Sequence, residues 1–345
     1  MRAILFSNLI MTCIPMKAFS NKVKTSETHA ICGLVFRNIS IILLVGLLAL
    51  NASAGDMYKW KDKDGIWNFS STPPKSDEKF DTVALPVEPR PLVTMRKLGT
   101  EHEPEYVFIN NIWGPVQLQL TLPVAENVLA EPSLPARLVL AGQSEKRLIK
   151  IKAQDPSKGF TFRLAYKPMI GPPLAELPTE INYYPPFPLG QDFIISQGFD
   201  NDQTHKKPPN QYAVDIVMPI GTPVLAARAG RVMDMEDDFH GAGQSDRFLA
   251  RSNQIRILHD DGTMAVYAHL QPNSLRVRPG AMVETGKWIA NSGNTGYSSG
   301  PHLHFVIQLN AGMSLESIPF RFYAPGGGTI TPEKQMMISG VLRQK

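Results

Sequence analysis

The stretch GNTGYSSGPHLHF, residues 293–305, decides how the chain is read. Its last five residues alternate in character. On a β-strand, His302 and His304 project to one face, while Leu303 and Phe305 project to the opposite face and into a core. Imidazole is the commonest protein ligand for zinc, so the pair marks a candidate metal or catalytic face. Gly293, Gly296 and Gly300 surround it. Their permissive backbone suits ordinary turns, and it also suits close approach of an extended peptide.

Two further segments extend this face. His269 closes the alternating run Val266-Tyr267-Ala268-His269-Leu270, and His205 precedes the strand-like Tyr212-Ala213-Val214-Asp215. Five of the eight histidines lie between positions 240 and 304, with a sixth at 205. Zinc catalysis requires three protein ligands, an open position for water, and groups that move a proton and stabilise an oxyanion. His205, Asp215, His269, His302 and His304 supply that set. The other histidines have plainer readings. His259 opens an Asp260-Asp261-Gly262 hairpin, His240 lies in a polar loop, and His102 sits between two glutamates. Asp237-Asp238 reads as a charged loop tip.

The ordered series Ser196-Gln197-Gly198-Phe199, His205, YAVD (212–215), GTPVLAARAGRV (221–232), HDDGTMAVYAHL (259–270) and GNTGYSSGPHLHF strongly resembles the lysostaphin-type zinc endopeptidases. That family cleaves peptide cross-links in peptidoglycan. Carried onto this sequence, the resemblance implies one Zn2+ per chain held by His205, Asp215 and His304. His269 and His302 become the catalytic histidines, one accepting a proton from the attacking water and the other hydrogen-bonding the developing oxyanion; which does which stays open. One spacing departs from the family: nine residues separate His205 from Asp215, a wider gap than many members have. The implied partners are peptidoglycan stem peptides and not nucleic acid. The alternative is a non-catalytic, wall-binding regulator of another peptidoglycan hydrolase, and retention of every ligand type favours the enzyme. A lipoyl- or biotinyl-type carrier would leave the histidines unexplained.

Outward from this region the chain reads as mainly β, an antiparallel β-sandwich followed by a β-rich catalytic domain with an open groove. Over 95–170, Val116, Leu118, Leu120 and Leu122 alternate with Gln117, Gln119 and Thr121, and Phe160, Phe162, Leu164 and Tyr166 repeat the period. A proline-rich linker is expected over 171–190, the zinc endopeptidase domain over 191–325, and a peripheral tail over 326–345. The prolines, 29 in number, argue against long helices. Ahead of the sandwich, residues 55–75 read as a small aromatic hairpin module turning at Asp64-Gly65, with a linker over 76–94. The module resembles a domain of unknown function found in exported Gram-negative proteins. Its aromatics form a mini-core or, alternatively, bind glycan.

Residues 39–50, ISIILLVGLLAL, follow Arg37 and precede Ala52-Ser53-Ala54. This is the pattern of a secretory signal peptide cleaved after Ala54, with residues 1–33 read as a start-site artefact. A transmembrane anchor is the competing reading, but twelve residues fall short of the roughly 20 needed to span a bilayer. The expected location is therefore the periplasm or the exterior, with no lasting membrane insertion. The whole-chain charge of +4 resides in this leader, because Arg2, Lys17, Lys22, Lys24 and Arg37 oppose only Glu27. Of 35 basic and 31 acidic residues, the remainder keeps 30 of each, and both cysteines, Cys13 and Cys32, lie in the leader. The exported part is thus electrically balanced and cannot depend on a disulfide.

Overall fold

The computed structural model describes residues 56–61, 67–70, 79–84, 90–176, 178, 181–200, 204–249 and 251–341. The expected leader lies outside these residues, as does the Asp64-Gly65 turn. Among the described residues the secondary structure is strand apart from one 3-10 turn at Asp246–Phe248. No helix among them is long and apolar enough to cross a membrane.

The described residues from Asp56 to Ala84 belong to one compact unit. Its described strands are β1 (Asp56–Lys61), β2 (Trp67–Ser70) and β3 (Phe80–Ala84), in the order β2-β1-β3. β1 pairs antiparallel with both neighbours, Trp60 standing opposite Asn68 on one side and Phe80 on the other. β3 lies inside the stretch expected to be linker. Proline and charge around it mask a short Phe-Asp-Thr-Val run in which Phe, Thr and Val favour a pleated strand, and a two-stranded hairpin gains from a third strand.

The described residues from Arg90 onward belong to the second unit. Its first part contains β4 (Val93–Gly99), β5 (Pro104–Asn110), β6 (Val116–Glu126), β7 (Val128–Glu131), β8 (Ala136–Leu140), β9 (Glu145–Ala153) and β10 (Thr161–Ile170). They form two antiparallel sheets, β4-β5-β9-β7 and β10-β6-β8. Both contribute to one apolar core in which Phe108, Val116, Leu118, Leu120 and Ile151 are fully buried. Tyr166 meets Phe108 edge-on at 5.3 Å, a favoured aromatic geometry.

The second part contains β11 (Asn182–Tyr183), β12 (Asp192–Gln197), β13 (Ala213–Ile216), β14 (Pro223–Leu225), β15 (Gly230–Glu236), β16 (Ala242–Gly243), β17 (Gln254–Leu258) and β18 (Met264–Ala268). It continues through β19 (Met282–Val283), β20 (Trp288–Asn291), β21 (Gly296–Tyr297), β22 (Leu303–Asn310), β23 (Leu315–Ser317), β24 (Arg321–Tyr323), β25 (Thr329–Ile330) and β26 (Met337–Ser339). The principal sheet runs β19-β15-β17-β18-β22-β13-β12-β26, with β23 added to β22. One of its faces covers a core containing Val214, Ile255, Tyr267, Leu303, Phe305 and Ile307.

Two segments differ from the sequence reading. The expected linker over 171–190 contributes Tyr183 and Phe187, both fully buried, and β11 pairs in parallel with β24. Its prolines mark turns between inserted aromatics, and burial of those aromatics outweighs the linker-like composition. The expected peripheral tail supplies β26, whose Ile338 is buried and opposite Phe193. Gly326, Gly327 and Gly328 all have positive φ (80°, 106° and 73°), a backbone that favours glycine, and they turn β24 back onto its antiparallel partner β25.

The two parts of this unit share packing. Met233 and Met264 of the second part enter the core of the two-sheet part. Asn310, fully buried at the end of β22, donates from Nδ2 to Gln117 Oε1 at 3.0 Å and to the Gly171 carbonyl at 3.1 Å. This explains why Gln117, expected on the outer face of β6, is buried: its polar end meets a buried amide.

Candidate active site

The second face of the principal sheet is built by strand alternation. Asp215 of β13 and Ala268 of β18 stand opposite His304 of β22 from its two sides. Their chain neighbours Val214, Tyr267, Leu303 and Phe305 point into the core and anchor the strands. His302 immediately precedes β22 and bridges to Gly293. His269 immediately follows β18 with φ of 62°, a left-handed backbone uncommon for histidine and a mark of a constrained position. The structure thereby brings all five sequence-predicted residues to one place.

His205, Asp215 and His304 each direct one ligand atom at a common point, the three atoms lying within 4.8 Å of one another. Asp215 Oδ1 is 3.4 Å from His205 Nε2 and 2.8 Å from His304 Nδ1. His205 is fully buried, yet its Nε2 makes no hydrogen bond. Its Nδ1 lies 3.0 Å from the Gly198 carbonyl, so an Nδ1–H donates there and leaves the Nε2 lone pair aimed at the aspartate. A buried acceptor facing a carboxylate is unfavourable without a cation between them. Two nitrogens and a carboxylate oxygen therefore fit a metal, and this donor set suits zinc.

The charges support one another in the absence of an ion as well. Burial opposes ionisation of Asp215, but the His205 and His304 imidazoles beside it, with His302 behind them, outweigh it and hold the carboxyl far below the usual range. Burial likewise disfavours charge on His205, and the Asp215 carboxylate reverses the net shift upward. Asp215 Oδ2 accepts from Gln197 Nε2 at 2.8 Å, and Gln197 Oε1 accepts from Thr204 at 3.0 Å. The carboxylate is thus oriented through both oxygens.

His269 and His302 stand beside the ligand cluster with ring centroids 4.5 Å apart. Each has Nδ1 engaged by a backbone carbonyl, Thr295 at 2.6 Å for His269 and Gly300 at 2.8 Å for His302. Donation there fixes the tautomer and leaves Nε2 free. His302 Nε2 lies 3.7 Å from Asp215 Oδ1. Burial, reinforced by His302 and His304, pulls the His269 pKa down to about 3, so that ring is neutral at physiological pH.

Residues 209–315 match peptidase family M23. The chain carries an M23 domain. Residues 43–93 match a domain of unknown function, DUF4124, a span that includes β1 to β3. Lysostaphin of Staphylococcus simulans is 34% identical over 156 residues, covering 43% of this chain and 26% of that protein. Peptidoglycan DD-endopeptidase ShyA of Vibrio cholerae is 34% identical over 124 residues, 35% of this chain and 26% of its own length. The chain thus spans about a quarter of these curated relatives. A solved catalytic domain of S. simulans lysostaphin aligns at 29% identity over 35% of this chain and 80% of that one, with a TM-score of 0.25.

The M23 match contains Asp215, His269, His302 and His304, whereas His205 lies just before it. A cleft of about 790 Å³ runs across the M23 domain's sheet, lined by Asp215, His269, His302 and His304 and continuing through Gln254, Arg256, Val266, Val306 and Gln308. Among the described residues the two-sheet part contributes no lining. The glycines around His302 have separate reasons. A Cβ on Gly293 would stand 2.4 Å from Gln271 N, and one on Gly296 2.5 Å from the Arg251 carbonyl oxygen, so both allow segments to pack. Gly300 has open space. Sequence reasoning singled out neither Gln197 nor Arg256 as a site group. Alternation in Gln254-Ile255-Arg256-Ile257, polar against apolar, was the available signal for the second.

Proposed function

We propose that this chain is an exported zinc metalloendopeptidase that hydrolyses peptide cross-links of peptidoglycan. The observation that carries the reading is the convergence of His205 Nε2, Asp215 Oδ1 and His304 Nδ1 beside two imidazoles whose Nδ1 atoms are already engaged by carbonyls. The relatives named for lysostaphin and for a peptidoglycan DD-endopeptidase support the substrate class.

In this reading His205, Asp215 and His304 hold one zinc ion. Bound zinc supplies an acidified water and polarisation of the scissile carbonyl. The chain's residues do the rest. Gln197 keeps the Asp215 carboxylate turned towards the ligand point. The Thr295 and Gly300 carbonyls hold the two rings so that each presents a bare Nε2. One takes the proton of the attacking water and returns it to the leaving amine, and the other, protonated from solvent at Nε2, hydrogen-bonds the tetrahedral oxyanion. The open cleft receives an extended peptide across the strands.

The test is digestion of purified sacculi by the protein lacking residues 1–54, with released fragments identified by mass spectrometry. Chelator-sensitive release of peptides cut within the cross-link is expected. No release, together with stimulation of a separate wall hydrolase by the metal-free protein, would overturn the reading in favour of a regulator.

A further inference from the structure

The cleft has a charged feature that the hydrolytic reading leaves unused. Among the described lining residues, Arg256 is the one cation other than the site histidines, and Asp215 is the one carboxylate. Arg256 stands in register with Val266, and Val266 with Val306, which lies two residues along β22 from His304. Strand spacings place its Cα about 12 Å from that of His304, the span of about three extended residues.

Its setting is built. Arg256 donates from Nη1 to Gln308 Oε1 at 2.7 Å, and Gln308 donates from Nε2 to the Pro209 carbonyl at 2.9 Å. The glutamine amide is therefore oriented from its far side and must offer oxygen to the guanidinium. Burial pulls Arg256 down to about 10, against the opposing pull of Asp234, and it remains cationic at neutral pH. Asp234 faces it in register from β15 but does not line the cleft. The next outward position on β22 is Asn310, buried against Gln117 and Gly171.

We propose, resting on the peptidase reading above, that Arg256 is a specificity residue that anchors a carboxylate of the bound peptide in the cleft, two strands across the sheet from His304. A cleft-lining guanidinium whose Nη1 is already fixed on Gln308 matches a carboxylate better than any other common peptide group. The floor between it and the metal site, Val266 and Val306, is apolar and makes no competing polar demand. Stem peptides carry carboxylates on acidic side chains and at the C-terminus, and the distance selects the one about three residues from the cleaved bond.

The test uses the zinc-loaded protein and cross-linked stem peptides in which each carboxylate is amidated in turn. Amidation of one carboxylate should lower kcat/KM about 10- to 100-fold, chiefly through KM, the size expected for loss of a hydrogen bond to a charged group. Amidation elsewhere should change little. Arg256→Gln should lose the same factor on the free peptide and show no further loss on amidation, with zinc content unchanged; Arg256→Lys should recover part. A parent enzyme that cleaves free and amidated peptides alike overturns the inference and leaves the peptidase reading standing. A parent that cleaves none of them overturns both. The comparison on parent enzyme holds even where a variant fails to fold.

Discussion

Asp215 and His304 are register partners across β13 and β22, and Oδ1 of the first lies 2.8 Å from Nδ1 of the second. Two ligand-type atoms are thus fixed by backbone pairing and not by loops, the arrangement that best holds a donor set rigid. His304→Ala should abolish stoichiometric zinc binding and hydrolysis together, as measured by elemental analysis of the dialysed protein. Zinc retained at one per chain would show that the ligand set is wrong.

Gln197 holds the other oxygen of the same carboxylate at 2.8 Å. Gln197→Ala should weaken zinc affinity about 10- to 100-fold, the usual effect of removing a group that orients a metal ligand. Competition with a chromophoric chelator reads this directly. An unchanged affinity would mean that β13 alone orients Asp215.

His302 has its Nδ1 tied to Gly300 and is not among the three convergent ligand atoms. His302→Ala should keep the metal while lowering turnover by about 10²–10⁴, the range for loss of a general acid–base group. Full digestion of sacculi by this variant would remove His302 from the chemistry.

His259 supplies a pH test of stability away from the site. It is buried beside Tyr183, with Nδ1 2.8 Å from the Ala229 carbonyl. Burial lowers its pKa to about 4, against about 6.5 in an unfolded chain. Between these values the unfolded chain binds more protons, so this contribution is complete above about pH 6.5 and is lost as pH falls towards 4, roughly 3 kcal/mol in all. Denaturation of the parent should therefore steepen over that window, and His259→Gln should flatten the slope. Equal slopes for the two proteins would refute the assignment.

Asn310 satisfies Gln117, Gly171 and, through Oδ1, the amides of Gly312 and Met313 at 3.0 and 2.9 Å. Asn310→Ala should cost roughly 1–3 kcal/mol by leaving buried polar groups unpaired. Chemical denaturation with a probe in each part should show both parts weakened; a loss confined to the M23 domain would mean that the junction carries little.

Much of the site could be read from the sequence because its residue types are rare and its period is local. His302 and His304 announce a strand face by alternation alone, and Leu303 and Phe305 lie in the core as that alternation requires. What holds the rings in place was not readable, because the Gly198, Thr295 and Gly300 carbonyls carry no side-chain signature. The pairing of β26 with β12 and the insertion of Tyr183 and Phe187 escaped for a related reason. Both depend on partners distant in sequence, and proline- and glycine-rich flanks gave those segments the composition of connectors.

The strand at residues 337–339 bears on how the protein comes into being. Every one of the five site residues is synthesised before it, yet it pairs with β12, the strand that carries Gln197. Until those residues arrive, β12 presents an open row of amides and carbonyls along Asp192–Ile194, a template for aggregation. A translation product stopped short of residue 337 would possess the whole donor set on an unfinished sheet, so the arrival of residues 337–339, and not of the donor set, covers this edge.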